Sequence, residues 1–253
     1  MYEIDLKGKC ALVTGGYKGI GYTASIALAK AKANIVIAAR NYELCLQKAK
    51  ELRSIFGINC LAVKMDVSDL ESVKNAVSKV KDEFGKIDIL INAAGISGVQ
   101  KPVIELSESE FDEVFNIDFK GTFFVSQQVA KIMVAQNSGK IINIASILGK
   151  LATPYMSGYC TSKAAVIHFS KVLALELIKY NIQVNVVCPG YFLTDINKSF
   201  FNTQKGKEYI KERIPVKRVG ELSELESTFI YLASAPSFLT GAEIIIDGAQ
   251  TII

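Results

Sequence analysis

The stretch Cys10-Ala11-Leu12-Val13-Thr14-Gly15-Gly16-Tyr17-Lys18-Gly19-Ile20-Gly21 decides how this chain folds. Its first five residues are apolar or β-branched without a break, as in a strand covered on both faces, and a helix-period segment follows over 20–31. Between the two lie glycines where the chain must turn sharply. Gly15 permits the turn out of the strand, Gly19 lets backbone amides come close to a ligand, and Gly21 lets the helix pack near the sheet. Helix N-termini attract anions, so this strand–turn–helix unit points to a dinucleotide pyrophosphate. Its spacing is G-x-x-x-G-x-G rather than G-x-G-x-x-G. A glycine turn alone is weak evidence; its place between the first strand and the first helix gives it weight.

Outward from this unit, the same alternation continues. Strands are expected at 10–14, 34–39, 60–65, 87–92, 140–145, 182–188 and 243–247, and helices near 20–31, 42–56, 69–84, 108–136, 156–179 and 223–234. Right-handed crossovers would wind these into one doubly wound α/β domain over 1–253, a mostly parallel seven-stranded sheet with helices on both faces. The connection 190–220 is too long for an ordinary loop of about 2–6 residues, and reads as a substrate-binding loop or lid beyond a strand's C-terminal end.

Composition narrows the function. Half of the 253 residues are hydrophobic and 21% are charged, so long disorder is not expected. The net charge of +4 is modest and its bases are scattered, which gives no case for nucleic acid. No apolar run approaches the roughly 18 residues of a membrane span, and residues 1–7, with two acids and no apolar core, do not read as a signal peptide. Cys10, Cys45, Cys60, Cys160 and Cys188 are odd in number and widely spaced, as expected of reduced thiols in a cytoplasmic protein. The single histidine, His168, argues against a histidine-based metal site and against a Ser-His-Asp triad. It lies on an apolar helix and reads best as a packed or interface residue.

The second strand ends in Ala39-Arg40, where an NAD site usually places an acid to accept from the ribose hydroxyls. Arg40 has the planar fork that pairs with a 2′-phosphate, and Lys18 adds a second charge from the glycine turn. Either base alone is also explained as a solvated surface charge. The missing acid together with two bases favours NADP(H).

Tyr159 and Lys163 stand four residues apart, on one face of a helix. With 10 tyrosines in the chain, about one such spacing arises by chance, so the pair is weak by itself. Ser146 adds weight because it ends a strand, and Asn92-Ala93-Ala94-Gly95 ends another in the same way. Taken together these residues resemble the short-chain dehydrogenase/reductase family in its compact, Rossmann-like form, over essentially the whole chain. The resemblance implies a catalytic tetrad of Asn116, Ser146, Tyr159 and Lys163. It implies cofactor contacts from Gly15, Tyr17, Lys18, Gly19, Ile20, Gly21, Arg40, Asp66, Val67, Asn92, Ala93 and Gly95, and from Tyr159, Lys163, Pro189, Gly190 and Thr194. Two departures stand out: Asn92-Ala93-Ala94-Gly95 replaces Asn-Asn-Ala-Gly, and Asp247-Gly248-Ala249 replaces Asp-Gly-Gly.

Such a set would reduce a ketone to a secondary alcohol, or run the reverse. A Lys163 ammonium should bring the Tyr159 hydroxyl down from about 10 toward the working pH, so that Tyr159 trades a proton with the substrate oxygen. Ser146 would hydrogen-bond that oxygen. By resemblance, Lys163 would also hold the nicotinamide ribose, and Asn116 would position a water. No metal is required. The substrate would meet residues 96–99, Leu148, Tyr155, Met156 and the loop 191–214, with Phe192, Phe200 and Phe201 either capping an apolar group or packing the lid. Lys205, Lys207, Lys211 and Arg213 would suit a carrier-linked 3-oxoacyl group, although their spacing fits a solvated helix face better. Pro189-Gly190-Tyr191-Phe192 resembles branches acting on sugar acids such as gluconate. A non-catalytic NADP-binding regulator is the reading of another class, and an intact tetrad argues against it. Apolar helices over 121–133 and 163–177 need covering, and relatives often pack them against symmetry mates, so a homotetramer is expected, with a dimer as the alternative.

Overall fold

The structure, a computed structural model, describes residues 4–194 and 197–252. Residues 1–3, part of the N-terminal stretch read above, and residues 195–196, within the expected lid, lie outside the described residues.

Apolar runs too continuous for one-sided burial become the inner layer. The strands are β1 (Cys10–Thr14), β2 (Asn34–Ala39), β3 (Cys60–Lys64), β4 (Ile89–Asn92), β5 (Gly139–Ile144), β6 (Ile182–Pro189) and β7 (Glu243–Ile246). They form one sheet in the order β3-β2-β1-β4-β5-β6-β7, and every pairing is parallel. The expected "mostly parallel" sheet is therefore wholly parallel among the named strands, and strand ends differ from expectation by a residue or two. The order reverses about β1, which opens a crevice at the carboxyl ends of β1 and β4.

Helices cover both faces. Leu28 of α1 (Gly19–Lys30), Leu52 of α2 (Tyr42–Phe56) and Phe229 of α9 (Glu226–Ser234) fill one core. Val77 of α3 (Leu70–Phe84), Val129 of α5 (Gly121–Gln136) and Leu173 of α6 (Ser157–Leu177) fill the other. Local chemistry sets the helix limits. Asn41 and Asp69 accept from the first-turn amides of α2 and α3, while Gly57 and Gly85 close them in the left-handed region. Ser107 and Glu110 form a capping box on α4 (Glu108–Phe115). By contrast, α1 has no side-chain cap and no acid in its first turn, so its amides are left for a ligand.

One expectation of continuity fails. The helix expected over 108–136 is interrupted by a π-helical turn, Asn116–Lys120, between α4 and α5. The connection 190–220 carries two helices of its own, α7 (Lys198–Phe201) and α8 (Gln204–Arg213). Beneath the crevice runs a buried polar ladder. Asn92 Nδ2 donates to Ser126 Oγ and to Asn143 Oδ1, each at 2.9 Å, and Asn143 Nδ2 donates to Ser170 Oγ at 2.8 Å.

Candidate active site

Thr14, the last residue of β1, builds the first wall of the site. Its hydroxyl oxygen accepts from the amides of Ala93 and Ala94 at 3.0 and 3.1 Å, drawing the end of β4 against the glycine turn. The approach leaves no room for side chains. A Cβ on Gly15, whose φ is +65°, would stand 3.1 Å from the Ala94 backbone, and one on Gly21 would stand 2.5 Å from the Gly15 carbonyl oxygen. The bare amides at the start of α1 therefore face a cradle that fits a pyrophosphate.

That cradle is one end of a cleft of about 700 Å³. Gly15, Tyr17, Lys18, Gly19, Ile20, Gly21, Arg40, Asp66, Val67, Ala93 and Gly95 line the cleft with it. Lys18 and Arg40 are exposed, and neither makes an ion pair among the described residues. Ser146, Tyr159, Lys163 and Gly190 line the cleft farther along, while Thr194 faces the glycine turn, its Cγ2 3.8 Å from where a Cβ on Gly19 would stand. The residues present fit a dinucleotide, and Lys18 and Arg40 stand at the cleft without an ion pair among the described residues.

Ser146 leaves β5 in an extended conformation, and its Oγ accepts from the Leu148 amide at 3.1 Å, so its own proton is free to donate elsewhere. Tyr159 and Lys163 rise from the first turns of α6, and the Lys163 ammonium stands 5.5 Å from the Tyr159 ring centre. Lys163 is buried, donates to the Ile144 carbonyl at 3.3 Å and pairs with Asp118 at 2.9 Å.

Three expected site residues are not brought to the cleft. Asn116 is half-buried and is not among the residues lining the cleft; Asp118 lines it and pairs with Lys163. Residues two apart on a helical turn point to nearly opposite sides, so only one of them can face the cleft. The signal was present in the chain: Asp118 falls on the buried stripe Val114, Asp118, Thr122, Val125 and Val129, where an acid has no place unless it is paired. Asn92 is consumed by the polar ladder rather than presented to a ligand, because β4 is covered on both faces. Pro189 belongs to β6, registered against Ile246, while its neighbour Gly190 reaches the cleft.

The charges are interdependent. Burial pushes the Tyr159 hydroxyl up; Lys163 and a hydrogen bond from Ser146 pull it down, Asp118 pushes it up again, and the net direction is upward. Lys163 therefore does not bring Tyr159 below its ordinary value, contrary to the sequence expectation. Burial works against the Lys163 ammonium, but Asp118 and Tyr159 outweigh it and hold it above its usual range.

Toward the expected lid the lining is aromatic and uncharged. Tyr191 packs edge-on to Phe201 and to Tyr209, each with ring centres 5.4 Å apart, and the Tyr209 hydroxyl donates to that of Tyr191 at 3.3 Å. Ile96, Ser97, Gln100, Leu148, Met156, Phe192 and Phe200 complete this end. Tyr155 and Val99, expected here, point to solvent. Lys205, Lys207, Lys211 and Arg213 lie on the exposed face of α8, outside the cleft. His168 is exposed on α6 and takes no part. All five cysteines are free, and burial pushes Cys10, Cys60 and Cys188 each up to about 12. Among the described residues no cluster of His, Cys, Asp or Glu could hold a metal, and no helix is long and apolar enough to cross a membrane.

Residues 9–205 match the family model described as short chain dehydrogenase. The chain is 34% identical to gluconate 5-dehydrogenase of Gluconobacter oxydans over 249 residues, covering 98% of this chain and 96% of that one. It is also 34% identical to a 3-oxoacyl-[acyl-carrier-protein] reductase of Thermotoga maritima, covering 98% and 99%. Among solved structures, a gluconate 5-dehydrogenase from Burkholderia cenocepacia in complex with NADP and tartrate superposes with a TM-score of 0.95 at 34% identity, covering 99% of this chain and 98% of that one.

Proposed function

The chain belongs to the short-chain dehydrogenase family of oxidoreductases acting on CH–OH and C=O groups, and from that premise we propose that it is an NADP(H)-dependent reductase of small ketones, reversible to secondary-alcohol oxidation. One observation carries this reading: a single cleft joins the unpaired Lys18 and Arg40 at one end to Ser146, Tyr159 and Lys163 at the other.

The cofactor, when bound, supplies or takes up the hydride. The residues do the rest. The α1 amides hold the pyrophosphate, and Lys18 with Arg40 selects the 2′-phosphate. Ser146 donates to the carbonyl oxygen and stabilises the charge that develops there. Tyr159 gives that oxygen its proton in reduction and takes it back in oxidation. Lys163 holds the ribose hydroxyls and faces the phenolate that Tyr159 becomes. Such a set would be wasted on a non-catalytic regulator.

The substrate reading rests on charge. Apart from Lys18, Arg40 and Lys163, no Lys or Arg lines the cleft among the described residues. The uncharged, aromatic end suits a small neutral ketone better than a carrier-linked acyl group, because the α8 cations face away. A keto-sugar acid, suggested by the names of relatives, would find hydroxyl and amide donors in Ser97, Gln100, Thr153 and Ser199 but no cation for its carboxylate beyond Lys163. Packing of α5 and α6 against copies of the chain would make a tetramer, to be read by light scattering. Free, buried thiols support a cytoplasmic setting.

NADPH oxidation should be followed with small ketones, keto-sugar acids and acetoacetyl thioesters, and turnover should be highest with the first. Tyr159→Phe should lower kcat by about 10²–10⁴ while leaving NADPH affinity within roughly threefold. Retained turnover would overturn the assignment.

A further inference from the structure

Asp118 is a fully buried carboxylate at the centre of the proposed site, and the roles above make no use of it. Its Oδ1 accepts from the Ile96 amide at 2.8 Å, and its Oδ2 pairs with the Lys163 ammonium at 2.9 Å. A Cβ on Gly95 would come within 3.1 Å of the same carboxylate, so the loop after β4 closes over it. The carboxylate is held from both sides in one place.

The surrounding groups decide what this does. From α6 come Tyr159, Lys163 and Cys160; from β6 comes Cys188, whose thiol burial pushes up to about 12. From the segment after β6 comes Tyr191, whose hydroxyl burial also pushes up, so that it adds no charge. The loop after β4 contributes only the Ile96 amide. Among the described residues the one cation acting on Tyr159 is thus shared with a carboxylate, and the pair carries no net charge. A neutral residue at 118 would leave the whole ammonium charge to stabilise a phenolate.

Resting on the reductase reading above, we propose that Asp118 is a positioning residue that fixes Lys163 and divides its charge, so that Tyr159 rests in its proton-donating form and the site favours carbonyl reduction. In that direction the carbonyl carbon accepts the hydride, its oxygen takes the Tyr159 proton, and the phenolate left behind regains a proton from water. The direction of the Tyr159 shift, upward despite the adjacent ammonium, agrees with this arrangement.

Ultraviolet titration of tyrosinate, taken as the difference between the unsubstituted protein and Tyr159→Phe, reads Tyr159 without any turnover. In the unsubstituted protein Tyr159 should ionise above the ordinary tyrosine value of about 10. Asp118→Asn keeps the shape and the acceptor for Ile96, and should lower that ionisation by about one pH unit. The basic limb of the pH profile for ketone reduction should move down by the same amount, with NADPH affinity within about threefold, an outcome a merely structural role would not produce. Ionisation of Tyr159 near neutral pH in the unsubstituted protein would overturn the proposal, and that measurement stands even if Asp118→Asn fails to fold. So would a folded Asp118→Asn protein with both readings unmoved. Absence of turnover with every ketone would instead overturn the reductase reading, leaving the titration to decide the role of Asp118.

Discussion

Arg40→Ala should remove most of the preference for NADPH over NADH. Arg40 lines the cleft just past the end of β2, is exposed, and has no acid to break away from before it can bind a phosphate. Its fork can donate twice to a 2′-phosphate, and hydrogen bonds to charged groups contribute about 1.5–3 kcal/mol net. Exposure argues for the lower half of that range, because water screens the charge. Taking about 2 kcal/mol, the NADPH Kd should rise about thirtyfold, since 1.4 kcal/mol corresponds to tenfold. NADH lacks the phosphate, so its Kd should change by less than about threefold. Titration of nucleotide fluorescence at two salt concentrations measures both quantities, and the NADPH loss should shrink at higher salt. Lys18→Ala should act in the same direction and more weakly, since a single ammonium cannot make the paired contact. Equal losses for the two nucleotides, or no loss for either, would refute the assignment of Arg40 to the phosphate.

Two further substitutions test the frame around the site. Asn143→Ala strips the buried ladder of the acceptor for Asn92 and the donor for Ser170, and should cost about 3 kcal/mol. For a chain this long that is roughly 6–12 °C in Tm by calorimetry; a fall under about 3 °C would mean the ladder is replaceable. Ala249 lies in the left-handed region at φ +71°, its amide donating to Asp247 Oδ1 at 2.9 Å. That conformation costs a side-chain-bearing residue about 1–2 kcal/mol, partly offset by the greater chain entropy of glycine. Ala249→Gly should therefore raise stability by about 0.5–1 kcal/mol, visible as a small rise in the urea midpoint at constant slope, and a lowered midpoint would count against strain at this position.

Much of this protein is legible along the chain because the information is local. Continuous apolar runs mark strands covered on both faces, helix-period segments mark their partners, and the alternation of the two dictates a parallel sheet. The strand ends then bring Gly15, Arg40, Ser146 and Gly190 to one crevice, because every strand of a parallel sheet points its carboxyl end the same way. What the tertiary structure decided is which side of an element faces that crevice. Asn116 and Asp118 differ by two places in sequence and by most of half a turn in direction, and the π-helical turn that orients them leaves no plain mark in composition. Asn92 sits at a strand end like its neighbours, yet partners from β5 and α5 claim its amide nitrogen. Tyr159 and Lys163 could be set on one helix face from their spacing, and given weight by the strand-end serine before them. The charge that Lys163 has left to offer depends on a carboxylate forty-five places away in sequence, brought to 2.9 Å only by folding.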